Sequence, residues 1–217
     1  MLSLLCVVGI SSVQSEIRSM TTDEALIAAA EQNDAVSVVR FLKEGANVKA
    51  RDDRGRTALL VATERNSIQA AKLLIAAGAD VNAQDHELNS PLLLAGAIGR
   101  LEILKLALKA VPNFKVYNRY GGTALIPACE RGHVEVVKEL LKTDIDINHV
   151  NRLGWTALLE AIILSDGGPK HQEIVRLLVA AGADVNLPDG DGVTPLAHAK
   201  QKGYRRIVEI LTSRGAQ

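Results

Sequence analysis

The chain has 217 residues, which is enough for one or two globular domains. It is 47% hydrophobic and 23% charged, so it can bury a sizeable core and does not have the composition of a disordered chain. Its 25 Lys and Arg residues balance 25 Asp and Glu residues. No basic surplus is left to neutralise phosphates, which disfavours direct binding of nucleic acid.

The cysteine and apolar patterns exclude several further classes of protein. Cys6 and Cys129 are the two cysteines, they lie more than a hundred residues apart, and no Cys/His cluster has metal-ligand spacing. We therefore expect no disulfide framework, no metal and no cofactor. No apolar stretch is long enough to span a bilayer, so we expect no membrane association.

The first 22 residues form a leader that allows two interpretations. Leu2 to Ile10 is apolar, and Val13-Gln14-Ser15 resembles a signal-peptidase site. However, no Lys or Arg precedes the apolar run, and Met20 opens an ordinary helix start. We favour a cytoplasmic protein; the alternative is export to the periplasm or medium, with residues 1–15 acting as a signal peptide.

A tripeptide then recurs along the chain at a fixed spacing. It appears four times at intervals of 33 residues and a fifth time after 38, so one unit carries five extra residues. The copies are Thr57-Ala58-Leu59, Ser90-Pro91-Leu92, Thr123-Ala124-Leu125, Thr156-Ala157-Leu158 and Thr194-Pro195-Leu196. Thr or Ser caps a helix N-terminus well and Pro suits the first helical position, so each copy predicts the start of a helix.

A second helix is predicted in each unit from apolar residues three and four apart, as in Val134, Val137 and Leu141. Gly132 stands between the two helices of its unit, where the chain must turn. Gly78 begins a Gly-Ala-Asp-Val-Asn run after a second helix and predicts a left-handed helix end followed by a β-turn. The same run recurs from Gly182.

These motifs together resemble the ankyrin repeat, and the resemblance covers about residues 23 to 217. It implies an all-α solenoid of six helix-turn-helix repeats, joined by β-turn fingers and closed by polar capping repeats. Residues 121–133 and 154–168 also resemble a group of small bacterial ankyrin proteins. The expected units are 23–51, 52–84, 85–116, 117–150, 151–188 and 189–217.

Three departures from the repeat are candidates for function. Pro127 lies inside a predicted first helix, where it removes an N–H and should distort the early turn. Glu160 places a carboxylate on an inner helix; we expect it to hydrogen-bond the backbone freed by Pro127, and the alternative is that the two residues form a feature of the concave wall. Residues 165–170 are an insertion, which is either a tolerated surface loop or an extra contact at the edge of the groove.

The finger tips differ most between units and carry the aromatic residues and arginines that typically anchor protein interfaces. The resemblance implies that fingers and inner helices form a concave surface that docks folded proteins. We therefore expect a monomeric, non-catalytic interaction module that binds a protein partner. The expected partner-binding residues are Arg56, Asn89, Ile98, Tyr117, Arg119, Tyr120, Arg152, Trp155, Glu160 and Ile163.

Two other functions remain open from the sequence. A small enzyme or small-ligand binder would use the groove around Pro127 and Glu160, with Cys129 and His133 as a weak nucleophile-and-base coincidence. A regulatory adaptor would act through a DNA-binding partner. The scattered histidines and the neutral charge favour the protein-interaction module over both.

Overall fold

The computed structural model describes residues 20–217, so the predicted leader lies almost wholly outside the described residues. This part of the chain forms twelve helices in six consecutive pairs, and the first begins at Thr22, one residue before the expected boundary. The helices are α1 (Thr22–Glu31), α2 (Ala35–Lys43), α3 (Ala58–Arg65), α4 (Ile68–Ala76), α5 (Pro91–Ala97), α6 (Leu101–Leu108), α7 (Leu125–Glu130), α8 (Val134–Leu140), α9 (Ala157–Ile163), α10 (Pro169–Ala180), α11 (Pro195–Gln201) and α12 (Arg205–Thr212).

The pairs stack into two layers. The first helix of each pair packs on the first helices of its neighbours, from α1 to α11, and the second helices pack in the same order from α2 to α12. One continuous apolar core runs between the layers from Leu26 to Leu211. At the two ends, Glu31 to Asp34 and Lys200 to Lys202 are exposed, as capping repeats require. The predicted all-α solenoid of six repeats is therefore confirmed.

The helix boundaries follow from local chemistry. Thr57 caps α3 by accepting a hydrogen bond from the Leu60 N–H at 3.2 Å, and Ser90, Thr156 and Thr194 do the same for their helices. Gly78, Gly132 and Gly182 have φ of 86°, 71° and 96°, the left-handed region that the sequence predicts.

Small residues allow the inner helices to approach one another. A Cβ on Gly96 of α5 would lie 2.7 Å from the Ala124 carbonyl oxygen and 2.9 Å from the Ala124 Cβ, next to α7. Neighbouring first helices therefore meet almost backbone to backbone, and alanines fill much of the remaining contact. This close spacing also brings the fingers that precede these helices close together.

Each finger is organised by a single Asp or Asn side chain. In the fourth finger, Asn118 Oδ1 accepts hydrogen bonds from the Tyr120 and Gly122 N–H groups, both at 2.9 Å. Asp52, Asp85, Asn151 and Asp189 make the same two contacts in their own fingers. The tip residue has positive φ and is glycine in four of these five fingers; in the third it is Leu88, with φ of 60°. Because a bulky residue is strained in this conformation, Leu88 departs from the glycine that the other four tips carry.

Pro127 shifts the start of α7, as the sequence predicts. In the other units the threonine or serine carbonyl accepts from the N–H four residues on, as Thr156 O does from Glu160 N at 3.0 Å. Pro127 occupies that position after Thr123 and has no N–H to donate. The helix begins at Leu125, and Thr123 Oγ1 is buried without a hydrogen bond within residues 20–217.

The insertion at residues 165–170 is held between the fourth and sixth units. Tyr204 Oη donates to the Ser165 carbonyl at 2.6 Å, and the Tyr204 ring lies where a Cβ on Gly167 would go. His171 Nε2 lies 2.9 Å from the Glu130 carbonyl oxygen. Part of the added length extends α10 to 12 residues. The segment therefore braces neighbouring repeats and is not a free loop.

Membrane-spanning geometry is absent from the described residues, since none of helices α1 to α12 is both long and apolar enough to cross a bilayer.

The contrast between Thr123 and Thr156 gives a matched test of this account. We expect Thr156→Val to lower the free energy of unfolding by about 1 kcal/mol, because it removes a helix cap. Thr123→Val should be neutral or stabilising by up to about 1 kcal/mol, because it removes a buried hydroxyl that has no partner. Denaturant unfolding of both variants measures this; equal losses would show that Thr123 caps α7 after all.

Candidate functional site

A cleft of about 400 Å³ opens between three neighbouring fingers and the inner helices beneath them. We call it the finger cleft. Its rim comes from the third, fourth and fifth fingers. Its floor comes from α7, α9 and the end of α5. The rim includes Glu87, Asn89, Asn118, Arg119, Tyr120 and Leu153, and the floor and sides include Ala97, Ile126, Pro127, Glu130, Arg131, Glu160 and Leu164.

The floor of the finger cleft contains a buried acid held by a finger. Asn151 Nδ2 donates to Glu160 Oε1 at 2.8 Å, while Asn151 Oδ1 accepts from the Leu153 and Trp155 N–H groups. Glu160 is only 5% exposed. The fifth finger and helix α9 are therefore joined through one amide that acts as both donor and acceptor.

The next unit has a corresponding pair with the roles reversed. Asp189 organises the sixth finger, and His198 Nε2 lies 2.7 Å from Asp189 Oδ2. Both pairs join a finger residue to the inner-helix residue nine positions later. A finger amide, which can donate, is matched with an acid; a finger carboxylate, which cannot donate, is matched with a histidine. The pKa of Asp189 is lowered, mainly because the Val193 N–H donates to its carboxylate and to a smaller extent because of His198.

The expected hydrogen bond between Glu160 and backbone near Pro127 is therefore wrong. The acceptor capacity of Glu160 is directed to the Asn151 amide, and Pro127 lines the cleft beside it. The alternative, that the two residues form a feature of the inner wall, agrees with their positions.

Burial makes Glu160 a weak acid. The pKa of Glu160 is raised to about 7, mainly by loss of solvation and next by the Glu130 carboxylate, while the Asn151 hydrogen bond and Arg131 oppose the shift. The group therefore changes charge near neutral pH, within the range where a bound partner or a small change in pH alters its ionisation.

The two arginines at the finger cleft are each engaged by a glutamate. Arg119 Nη1 lies 2.9 Å from Glu87 Oε2, and its guanidinium lies over the Tyr120 ring at 5.2 Å. Arg131 Nε lies 3.9 Å from Glu130 Oε2, and its Nη1 donates to the Ala97 carbonyl at 3.0 Å. Of the described acidic residues that line the cleft, Glu160 is thus left without a basic partner.

Cys129 does not serve as a nucleophile in this site. Its side chain is fully buried, and burial together with the nearby Glu160 raises the thiol pKa well above its ordinary value. The His133 ring, in turn, is engaged with the Ala97 backbone. The weak Cys129–His133 coincidence in the sequence therefore carries no support for catalysis. Within residues 20–217, no group of three or more His, Cys, Asp or Glu side chains is arranged to hold a metal ion.

Four of the ten sequence-predicted site residues line the finger cleft: Asn89, Arg119, Tyr120 and Glu160. The other six lie outside its lining, and the side chains of three of these are already engaged within the chain. Arg56 pairs with Asp52 and Glu64, Tyr117 stacks on His149 at 4.5 Å, and Arg152 Nη1 donates to the Arg119 carbonyl. Trp155 is half-buried.

Ile98 and Ile163 are half-buried and lie outside the lining of the finger cleft. Ile98 is the C-cap of α5, and Ile163 is the last residue of α9. The exposed apolar residues around the cleft are instead Leu88, Tyr120, Leu153 and Leu164, which are 40%, 50%, 52% and 48% exposed. Leu164 lies one position beyond Ile163, so the sequence pattern placed the exposed residue one step early.

The comparisons with known proteins agree with the fold. Three copies of a family model described as ankyrin repeats match residues 3–85, 92–189 and 146–217. An Escherichia coli (strain K12) protein named for its ankyrin repeats, YahD, is 48% identical over 58 residues. That match covers 27% of this chain and 29% of the E. coli protein, so the chain spans under a third of the length of this curated relative.

Solved structures match over nearly the whole chain. An ankyrin repeat domain from Acinetobacter baumannii AYE is 53% identical, with 88% of this chain and 98% of that one covered and a TM-score of 0.86. The ankyrin repeat protein EF0377 is 43% identical, with 90% and 98% covered and a TM-score of 0.86. The ankyrin repeat domain of Bcl-3, an IkappaB family member, is 26% identical, with 89% and 86% covered and a TM-score of 0.80.

The raised pKa of Glu160 predicts a particular dependence of stability on pH. Between its ordinary pKa of 4.5 and its folded pKa of about 7, the folded chain holds a proton that the unfolded chain releases, so rising pH destabilises the wild type through this group. In Glu160→Gln this contribution is absent. We expect the free energy of unfolding of the variant, relative to wild type, to rise by roughly 1 to 3 kcal/mol from pH 4.5 to pH 8. Urea unfolding across this range measures it; a constant difference would place the Glu160 pKa near its ordinary value.

Because the Asn151–Glu160 and Asp189–His198 contacts are equivalent in position, we predict that the residue types of one pair can replace those of the other. Asn151→Asp should lower the free energy of unfolding at pH 8 by about 1 to 3 kcal/mol, because it replaces a donated hydrogen bond with two facing carboxylates. Adding Glu160→His should restore most of that loss, since it reproduces the Asp189–His198 arrangement.

A double-mutant cycle on these variants measures the coupling. The reciprocal pair Asp189→Asn and His198→Glu is the matched control and should couple with the same sign. Additive effects in both cycles would show that the pairs are incidental contacts.

Proposed function

The chain belongs to the ankyrin-repeat family, and from that premise we propose that it binds a partner protein through the finger cleft and the finger tips around it, without catalysing a reaction. Ankyrin repeats are in general protein-interaction modules. The observation that carries the proposal for this surface is the group of half-exposed apolar side chains at the finger cleft: Tyr120, Leu153 and Leu164.

The stacking of the repeats does not require these side chains. The apolar core is complete between the two helix layers, and a Tyr or Leu at a finger rim adds apolar surface in contact with water. A large side chain that is half-exposed beside a recess, with arginines nearby, is the arrangement that typically anchors a protein interface. Leu88 supports the same assignment, because it is both exposed and held at positive φ on the third finger.

The neutral charge favours a protein partner over nucleic acid, and the arginines of the finger cleft are already engaged by glutamates. We expect the module to act as a monomer. A regulatory adaptor that reaches DNA through its partner would use the same surface.

The proposal predicts that binding depends on the rim of the finger cleft. We expect Tyr120→Ala/Leu153→Ala to lose a partner that wild type retains in affinity capture from lysate of the native organism, read by mass spectrometry. Because truncating interface anchors typically costs about 2 kcal/mol or more, affinity for the identified partner should fall at least roughly thirtyfold.

The control is Val36→Ala, which removes an apolar side chain that is 81% exposed and lies outside the lining of the cleft. The circular dichroism and unfolding midpoints of all three proteins must agree before capture is compared. A partner held equally by wild type and both variants would exclude the finger cleft as the interface.

A further inference from the structure

The finger cleft contains an acid whose position is unusual for its repeat. The corresponding inner-helix residues of the second, third and fourth units are Val61, Leu94 and Pro127. Glu160 stands where these apolar side chains stand, and it is 95% shielded from solvent by its own repeats. An ionised carboxylate in such a place is destabilising unless a cation or several hydrogen bonds compensate it.

The compensation from within the chain is incomplete. Among the described residues, the carboxylate accepts its hydrogen bond from Asn151, at Oε1. The buried polar atoms without a partner in this part of the chain are Arg100 Nε and Thr123 Oγ1, so Glu160 Oε2 is not sealed in the core. Glu160 itself lines the finger cleft, so a donor that enters the cleft from outside can reach its carboxylate.

The surrounding charges do not supply that donor. Helix α7 brings Glu130, Arg131 and the buried Cys129 thiol, and Arg131 is directed to Glu130 and to the Ala97 carbonyl. Helix α10 brings His171, which contacts the Glu130 carbonyl oxygen and Asp166. Helix α11 brings His198, which is held by Asp189. With both arginines of the cleft paired, ionisation of Glu160 leaves the cleft with one uncompensated negative charge.

We propose that the finger cleft receives a lysine or arginine side chain of the partner protein, with the Glu160 carboxylate as its counterion and Tyr120 and Leu153 alongside its aliphatic stem. This inference rests on the proposed function and names the chemistry that the partner presents. A cationic head on an apolar stem fits a recess that combines an acidic floor with an aromatic and aliphatic rim. The volume of about 400 Å³ accommodates such a side chain.

Binding of the cation should be linked to the proton on Glu160. At pH 6 a group with a pKa of about 7 is roughly one-tenth ionised, and at pH 8 it is roughly nine-tenths ionised, whereas a lysine side chain stays charged throughout. Affinity for the cation should therefore rise roughly tenfold from pH 6 to pH 8 in wild type.

The test uses the full chain and a blocked lysine, N-acetyl-lysine methylamide, titrated while amide shifts are followed by NMR. We expect saturable shifts at Gly122 and at the Asn151 side-chain amide, with the tenfold gain in affinity between pH 6 and pH 8. The same probe carrying an acetylated side-chain amine should bind at least tenfold more weakly. Glu160→Gln should lose the pH dependence and most of the affinity.

Glu135→Gln is the matched control, because it removes the same charge from an exposed position on α8 that is bonded to Lys138. It should retain both the affinity and the pH dependence. Equal binding of the charged and acetylated probes, or pH-independent binding in wild type, would overturn the assignment of a cation site. The two experiments separate the two proposals. If the lysine probe binds but no partner depends on Tyr120 and Leu153, the cation site stands and the protein interface at the rim is wrong. If a partner depends on Tyr120 and Leu153 but the lysine probe does not bind, the interface stands and the cation site is wrong.

Discussion

The whole structure depends on the inability of one helix pair to bury its own apolar face. Each pair here has an inner helix of six to ten residues, which is too short to persist in water without neighbours. Stacking solves this by burying each inner helix against the next, and Gly96 and the alanines set how closely two units approach. That core is built from the helices and from residues of the following turns such as Val81 and Val185, and the finger tips lie outside it. The residues at the finger tips are therefore free to vary and to carry function.

Each finger is ordered by hydrogen bonds within the finger itself. One Asp or Asn per finger accepts hydrogen bonds from two backbone N–H groups and closes the turn. In the fifth and sixth units the same side chain also reaches the inner helix, through Glu160 or His198. The choice between Asn and Asp in those fingers is therefore not free: it fixes whether the helix must present an acceptor or a donor.

Much of the fold could be predicted from the sequence, because it rests on repeated local signals. The Thr/Ser caps and the left-handed glycines recur in register, and the structure places them as predicted. Pro127 also acts as predicted, since the loss of one N–H is a local effect. The site was harder to predict because it depends on which long-range partner a side chain selects. The sequence shows Asn151 and Glu160 nine residues apart, but only the comparison with Asp189 and His198 reveals that this spacing is a contact.

The misplacement of Ile163 has a similar origin. Helix α9 has seven residues and ends at Ile163, and a shift of one residue at a helix end moves a side chain from the surface to the packed edge. Leu164 shows the consequence, since it is the C-cap of α9 and is exposed at the cleft while Ile163 is half-buried. Periodicity specifies the buried face of a helix well, but it specifies poorly what lies at the helix end.

The buried carboxylate of Glu160 is a local conflict: it is energetically unfavourable in a scaffold whose other inner-helix residues favour the stacked fold. An apolar residue at this position, like Val61 or Leu94, would avoid the desolvation of a carboxylate and would leave the stacking intact. Natural repeat scaffolds can be stabilised by removing such conflicts, and the conflicts that persist tend to lie where stability is sacrificed for binding or catalysis. Here the conflict lies on the floor of a cleft and is surrounded by rim residues that lie outside the core. The coincidence of an unfavourable acid with an exposed apolar rim, on neighbouring units, is the reason why we propose that the charge of Glu160 serves recognition in addition to its contact with Asn151.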